Sequence, residues 1–266
     1  MSHTDLPTGS PVGAVRRLAL CLALPATAGC AATGSWTPNA EETEVFTEEF
    51  RAGERLDLRN ANGRIQVAAW EREGAEITAR KVGPSESSLA EMDVDIRRTS
   101  DGLRVRTRYP RRKWGGRSGS VHFTVRIPER ADLRLESVNG PIEVEGVTGD
   151  VEAQTVNGHL RLSRHLGNVN AQTVNGRIEC ELEQLRDDDR HSFRTVNGRV
   201  SLVLGPESRG TVDARAVNGR VVMELADGAN VEAPTRRRKA VRLGDGSGLC
   251  RVRTINGAIH VAHADN

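Results

Sequence analysis

The stretch "VEAQTVNGHLRL" spans residues 151–162, and "VNAQTVNGRIEC" follows at 169–180. The shared core is Ala-Gln-Thr-Val-Asn-Gly, and its Asn-Gly step occurs seven times, with the Asn at 62, 139, 157, 175, 197, 218 and 256. From Asn139 onward the steps are 18, 18, 22, 21 and 38 residues, a spacing that signals a repeat architecture. Aligned on the Asn, the residues six before it are Leu56, Leu133, Val151, Val169, His191, Val212 and Cys250. Four before it stand Leu58, Leu135, Ala153, Ala171, Phe193, Ala214 and Val252. Three after it come Ile65, Ile142, Leu160, Ile178, Val200, Val221 and Ile259, and five after it Val67, Val144, Leu162, Cys180, Leu202, Met223 and Val261. Charged and polar residues fill most positions between. Each repeat therefore reads as strand, sharp bend, strand. The bend comprises Asn62-Gly63, Asn139-Gly140, Asn157-Gly158, Asn175-Gly176, Asn197-Gly198, Asn218-Gly219 and Asn256-Gly257. Its Gly is expected at positive φ, where a Cβ is penalised.

Two all-β architectures satisfy this alternation. Asn-Gly is the strongest short signal for a two-residue hairpin, which would make an antiparallel β-meander. The other is a single-stranded β-helix, or solenoid, in which equivalent strands of successive coils pair in parallel at about 4.8 Å. Two arguments favour the solenoid. Stacked coils must place like beside like, whereas hairpins need not share one sequence. The apolar residue before each Asn (Val156, Val174 and their equivalents) would face outward in a hairpin, and a solenoid corner is expected to turn it inward.

The first half is less regular. "EITARKV" (76–82) reads as a strand, and "MDVDIRRTSDGLRVRTRY" (92–109) as a hairpin turning at Thr99–Gly102. "SESSLAEM" is one helical turn at most, and Pro128 marks a strand end because it donates no backbone hydrogen bond. Before these, Arg16 and Arg17 precede the apolar "LALCLAL" (18–24) and the small residues of "PATAGCA", the pattern of an export signal. Ala26-Thr27-Ala28 fits plain cleavage before Gly29. "TAGC" instead resembles a lipobox, with Thr27 in the usual Leu position, cleavage before Cys30 and lipid on its thiol. The organisation expected is a signal peptide over 1–29, a polar tether over 30–45, an N-terminal β part over 46–130 and the Asn-Gly repeats over 131–266. The expected location is the cell envelope, by lipid anchor at Cys30 or as a secreted or periplasmic chain.

A strand ending in "VRIP" (125–128), then "LRLESVNGPIEVE" (133–145) and serial "TVNG", resembles the bacterial putative-adhesin β-strand-repeat domains of unknown function. That group includes LiaG-like proteins and is related to head-domain putative auto-transporter adhesins. The resemblance covers about residues 45–263. It implies a single-stranded β-helix, often exported or lipid-anchored, and carries over no catalytic motif. The 38-residue step before Asn256 and the early Asn62 repeat depart from its regular period.

Candidate chemistry is sparse. Aromatics make up 3 % of the chain, so the core must come from Val, Leu, Ile and Ala. The 38 Lys and Arg nearly balance 36 Asp and Glu, which argues against a nucleic-acid partner. Cys180 and Cys250 sit in apolar slots and read as buried hydrophobes; three coils apart, at roughly 14 Å, they are too distant for a disulfide. His191 occupies an inward slot, while His165 and His263 fall at loops or strand ends. "RDDDRH" (186–191) lacks the ligand spacing of a calcium loop, and no metal or cofactor is expected. Carboxylates such as Glu143, Glu145, Glu152, Glu179 and Glu181 alternate outward and do not recur as the pair a glycosidase needs. Two basic stretches stand out. Arg108, Arg111, Arg112, Lys113, Trp114 and Arg117 form one; Arg236, Arg237, Arg238 and Lys239 form the other. Clustered cations suit anionic glycan or lipid head groups; the plain alternative is solvated loops that protect strand edges. The function expected is a non-catalytic adhesin or interaction scaffold at the envelope. A signalling accessory that binds a membrane protein is the alternative, and a polysaccharide-active enzyme the remote one.

Overall fold

The computed structural model describes residues 40–109, 119–225 and 235–264, together with the backbone of two short strands, Leu18–Ala19 and Asn230–Glu232. Cys30, the Arg111–Arg117 stretch and the export segment lie outside the described residues, apart from Leu18–Ala19, which pairs antiparallel with Glu44 and Val45. The protein is all-β, with two eleven-stranded sheets. Among the described residues the one helix is the single turn Glu86–Ala90.

The strand before each Asn lies in one sheet and the strand after each Gly in the other. Val151–Asn157 pairs in parallel with Val169–Asn175, placing Val151 opposite Val169 and Asn157 opposite Asn175. Beyond the bend, Leu160–His165 pairs in parallel with Ile178–Leu182 in the second sheet. Strands flanking one Asn-Gly thus pair with their counterparts in other repeats and not with each other. This overturns the antiparallel meander with Asn-Gly hairpins. The alternation buries Val151, Ala153, Leu160 and Leu162 together with their equivalents, and the inward side chains of both sheets form one core. Fully burying one such side chain is worth about 1.5–3 kcal/mol, so each repeat depends on neighbours that cover it.

The stack is not in chain order. Strand pairing places the Asn residues in the sequence 62, 139, 157, 175, 197, 256, 218. The last repeat is inserted between the two before it: Leu249–Asn256 lies between Arg190–Asn197 and Gly210–Asn218. Ile259–His263 likewise lies between Val200–Leu204 and Val221–Glu224. The long step before Asn256 explains how this is possible. It contains Arg238–Leu243, which pairs antiparallel with the outer side of Gly210–Asn218 before the chain turns back. The early repeat is also interior, because Gly102–Arg108 and Arg55–Asn62 pair in parallel on the side away from Asp132–Asn139. The Asn62 repeat therefore stacks directly on the later ones, across the expected 130/131 boundary. Residues 40–45, expected as the end of a tether, belong to the strand Ala40–Glu48. The hairpin of Asp93–Thr99 with Gly102–Arg108 and the strand end at Pro128 are where the sequence places them.

The shared corner has three components. The seven Asn side chains form one amide ladder, each Nδ2 donating to the next Oδ1 at 2.8–2.9 Å, from Asn139 onto Asn62 through to Asn218 onto Asn256. Thr155, Thr173, Thr195 and Thr254 turn inward and donate through Oγ1 to the glycine carbonyl of the neighbouring repeat, at 3.0–3.2 Å. The glycines are required by close approach more than by φ. Gly63, Gly140 and Gly257 have φ 118°, 157° and 156°, as expected of the bend, but Gly158, Gly176, Gly198 and Gly219 are not at positive φ. A Cβ on Gly176 would lie 1.8 Å from the carbonyl oxygen of Gly158, and one on Gly198 equally close to that of Gly176.

The residue before the Asn corrects a second expectation. Val138, Val156, Val174, Val217 and Ile255 face outward, 40–48 % exposed, because alternation continues unbroken to the corner and gives the inward place to Thr. Replacing Asn175 by Ala removes two rungs of the amide ladder. At about 1 kcal/mol for a net hydrogen bond, the expected loss is about 2 kcal/mol, measurable as a shifted denaturant midpoint with unchanged slope.

Candidate functional site

The buried titratable groups serve packing. Cys180 and Cys250 are free and buried, and burial holds both thiols well above their ordinary value. Insertion of the last repeat leaves their repeats two steps apart rather than three, about 9.6 Å along the stack and still too far to bridge. His165 and His191 are buried, with no hydrogen-bond partner on any ring nitrogen. His191 stacks on Phe193, ring centroids 6.4 Å apart. Burial pushes His191 down to about 4 against the partial opposition of Asp189, and burial also lowers His165. Both are bases with depressed folded-state values, so their neutral forms support the fold. The stability is complete above the unfolded value near 6.5 and declines as pH falls from there towards about 4. The loss for His191 is on the order of 3 kcal/mol. A melting series from pH 7 to 4 should show it, and His191→Val, which restores the residue found in the same slot at Val151 and Val169, should flatten the dependence.

The carboxylates of "RDDDRH" fix turns: Asp189 accepts from the Arg186 N–H at 2.8 Å and Asp187 from the Ser247 N–H at 2.7 Å. Among the described residues, no group of three or more His, Cys, Asp or Glu could hold a metal ion. Of the outward glutamates, Glu143, Glu145, Glu152 and Glu179 pair with arginines, as in Glu179 with Arg161 at 2.6 Å and Glu145 with Arg164 at 2.7 Å.

The basic residues divide. Arg108 ends its strand and pairs with Asp95 at 3.0 Å. Residues 235–242, expected as a loop, are partly the strand Arg238–Leu243. The backbone carbonyls of Arg236 and Arg237 accept from the N–H groups of Val221 and Ala216, so this segment covers a sheet edge while its arginine side chains stay exposed. Lys239 is half-buried.

The register then brings together residues that the sequence keeps apart. Arg194 lies opposite Arg253, Arg253 opposite Arg215, and Arg215 opposite Arg238. Four arginines form a row across four adjacent strands, all exposed on the outward face of the Asn-side sheet. The exposed Arg190, Arg251 and Arg242 flank the row on the same face. Asp213 is the carboxylate among these outward positions, and it pairs with Arg238 at 3.3 Å. The other half of the face is built differently. There Arg59 meets Glu136 at 3.1 Å, Arg134 meets Glu136 at 3.0 Å, and Arg55 meets Asp132 at 3.7 Å. Beside both halves runs the outward Val and Ile stripe. Part of it, Val138, Val156, Val174 and Val196, lines an open trough of 490 Å³ with Gln154, Gln172 and Arg194. Arg194, Arg215 and Arg253 all stand three residues before an Asn, so the repeat alignment held the signal. Which repeats adjoin was the missing information.

No family model matches the chain, and no curated protein does. Solved structures do. One is a "putative cell adhesion protein" from Clostridium sporogenes ATCC 15579, 14 % identical, with a TM-score of 0.50 over 85 % of this chain and all of that one. Another is a "putative adhesin" from Bacteroides fragilis NCTC 9343, 10 % identical, with a TM-score of 0.43 over 84 % and 97 % of the two chains. The first of these likenesses shows that the chain shares its all-β repeat fold with a solved bacterial structure.

Proposed function

We propose that this chain is a non-catalytic adhesin or interaction scaffold of the bacterial cell envelope, built as a two-sheet β-solenoid. The observation that carries the reading is the outward face of the sheet that holds the strands before each Asn, where in-register stacking aligns columns of exposed Val, Ile and Arg on one surface. Such a surface binds by extended contact. The neighbour named as a cell adhesion protein is consistent with that role at the level of fold. Export and lipid attachment at Cys30 complete the reading and rest on the N-terminal sequence.

The test is retention of envelope components by the purified chain from detergent-solubilised cell envelopes, compared with a chain lacking Arg111–Trp114. Specific retention of an envelope glycan, lipid or protein is expected, and capture of nothing above a blank matrix would contradict the reading. Mass measurement of the mature N-terminus settles the anchor: a lipid adduct on Cys30 is expected, and an unmodified chain starting at Gly29 rules it out.

A further inference from the structure

We propose that the arginine row Arg194–Arg253–Arg215–Arg238 is a binding site for a linear anionic polysaccharide lying along the stacking axis. The inference rests on the scaffold reading above and names the ligand class of its exposed face. Like charges directly opposite one another on neighbouring strands destabilise a sheet, and three successive contacts of this kind occur here. Among the described residues, Arg194, Arg215, Arg253 and Arg251 have no carboxylate within ion-pairing distance, whereas Arg59, Arg134 and Arg55 on the same face each have two. The packing of the stack does not require this arrangement, since Gln154 and Gln172 fill the equivalent positions in neighbouring repeats. A bound polyanion removes the repulsion.

Geometry selects the kind of polyanion. The four arginine backbone positions recur at the strand spacing of about 4.8 Å, the order of a charge repeat of one carboxylate per sugar ring. Arg forks match carboxylates bidentately. The neighbouring Val217 and Ile255, 48 % and 45 % exposed, offer an apolar strip for the ring faces. A nucleic-acid strand fits less well, because no aromatic side chain stands among the outward positions of these four strands to stack on bases. A bilayer fits less well because the apolar strip beside the row offers only short Val217 and Ile255, with no aromatic anchor among the outward positions of these strands.

The experiment uses the full mature chain with polygalacturonate as probe. Neutral dextran, monomeric galacturonate and phosphatidylglycerol vesicles are run in parallel, each at several salt concentrations. Saturable binding to polygalacturonate is expected, weakening with salt and absent for dextran. Arg215→Gln with Arg253→Gln should weaken it at least tenfold, and Arg134→Gln should leave it within twofold. Arg215→Lys with Arg253→Lys, which keeps the charge and loses the fork, should bind between the parent and the Gln variant. Circular dichroism and melting curves confirm that each variant is folded. The proposal is overturned if the double Gln variant binds as the parent does, if vesicles bind and the polymer does not, or if monomer binds as tightly as polymer. Retention of some other envelope component in the pull-down, with no polymer binding, would overturn the glycan assignment and leave the scaffold reading standing.

Discussion

Gly176→Ala is expected to be among the most damaging single substitutions in the protein, although it adds one methyl group. The new Cβ would sit 1.8 Å from the Gly158 carbonyl oxygen, and that oxygen is backbone held between two repeats. Thr173 Oγ1 already donates to it at 3.1 Å. Relief requires prising the two repeats apart at the corner, with loss of amide-ladder contacts on both sides of Asn175. A loss of about 4 kcal/mol or more, the range reserved for steric disruption of a core, is expected. Gly53→Ala provides the contrast. Gly53 has φ 89°, but a Cβ added there would meet nothing within 4 Å, so only the backbone penalty of roughly 1 kcal/mol applies. Equal melting temperatures for the two variants would show that conformation, rather than close approach, selects the corner glycines.

Deleting residues 249–266 is expected to remove far more than a terminal repeat. In an array stacked in chain order, trimming the end loses one interface. Here Leu249–Asn256 pairs on both sides, as does Ile259–His263, so deletion opens a gap one strand wide in each sheet. It also removes Cys250, Val252, Ile259 and Val261, all fully buried. At about 1.5–3 kcal/mol each, their burial is comparable with the whole stability of a typical domain, about 5–15 kcal/mol. Limited proteolysis should then trim the chain back to near Leu204 while the Asn139, Asn157 and Asn175 repeats persist. Native-like protease resistance beyond Gly210 would contradict the inserted position.

The sequence displayed some of this directly. Period-two alternation about each Asn-Gly located the strands and the core, because burial on one face of a strand must repeat every second residue. The outward Val before each Asn was equally legible, since it continues the alternation through an inward Thr; expecting the corner to reverse it ignored the hydrogen bond that Thr makes to the next repeat. The order of the stack was not legible. Repeats that share one sequence can pair in any order at nearly equal cost, so the position of the Asn256 repeat depends on the strand Arg238–Leu243 and the return it directs. The arginine row inherits that difficulty. Three of its members share one alignment column, but they become a row only when Arg253 enters between Arg194 and Arg215, and Arg238 joins from outside the repeat.

Parallel stacking of like strands underlies both the corner and the arginine row, and spin labels at two pairs of sites separate it from the hairpin alternative. In the stack, Gln154 lies opposite Gln172 on the adjacent strand, about 4.8 Å away, while Arg161 lies in the other sheet opposite Glu143 and Glu179. In an Asn157-Gly158 hairpin, Gln154 would face Arg161 directly, and Gln172 would be two strands away. Continuous-wave electron paramagnetic resonance of the labelled pair Gln154→Cys with Gln172→Cys should therefore show strong dipolar broadening. The pair Gln154→Cys with Arg161→Cys should show little. The reverse pattern would contradict the stacked-repeat fold and every assignment built on its register.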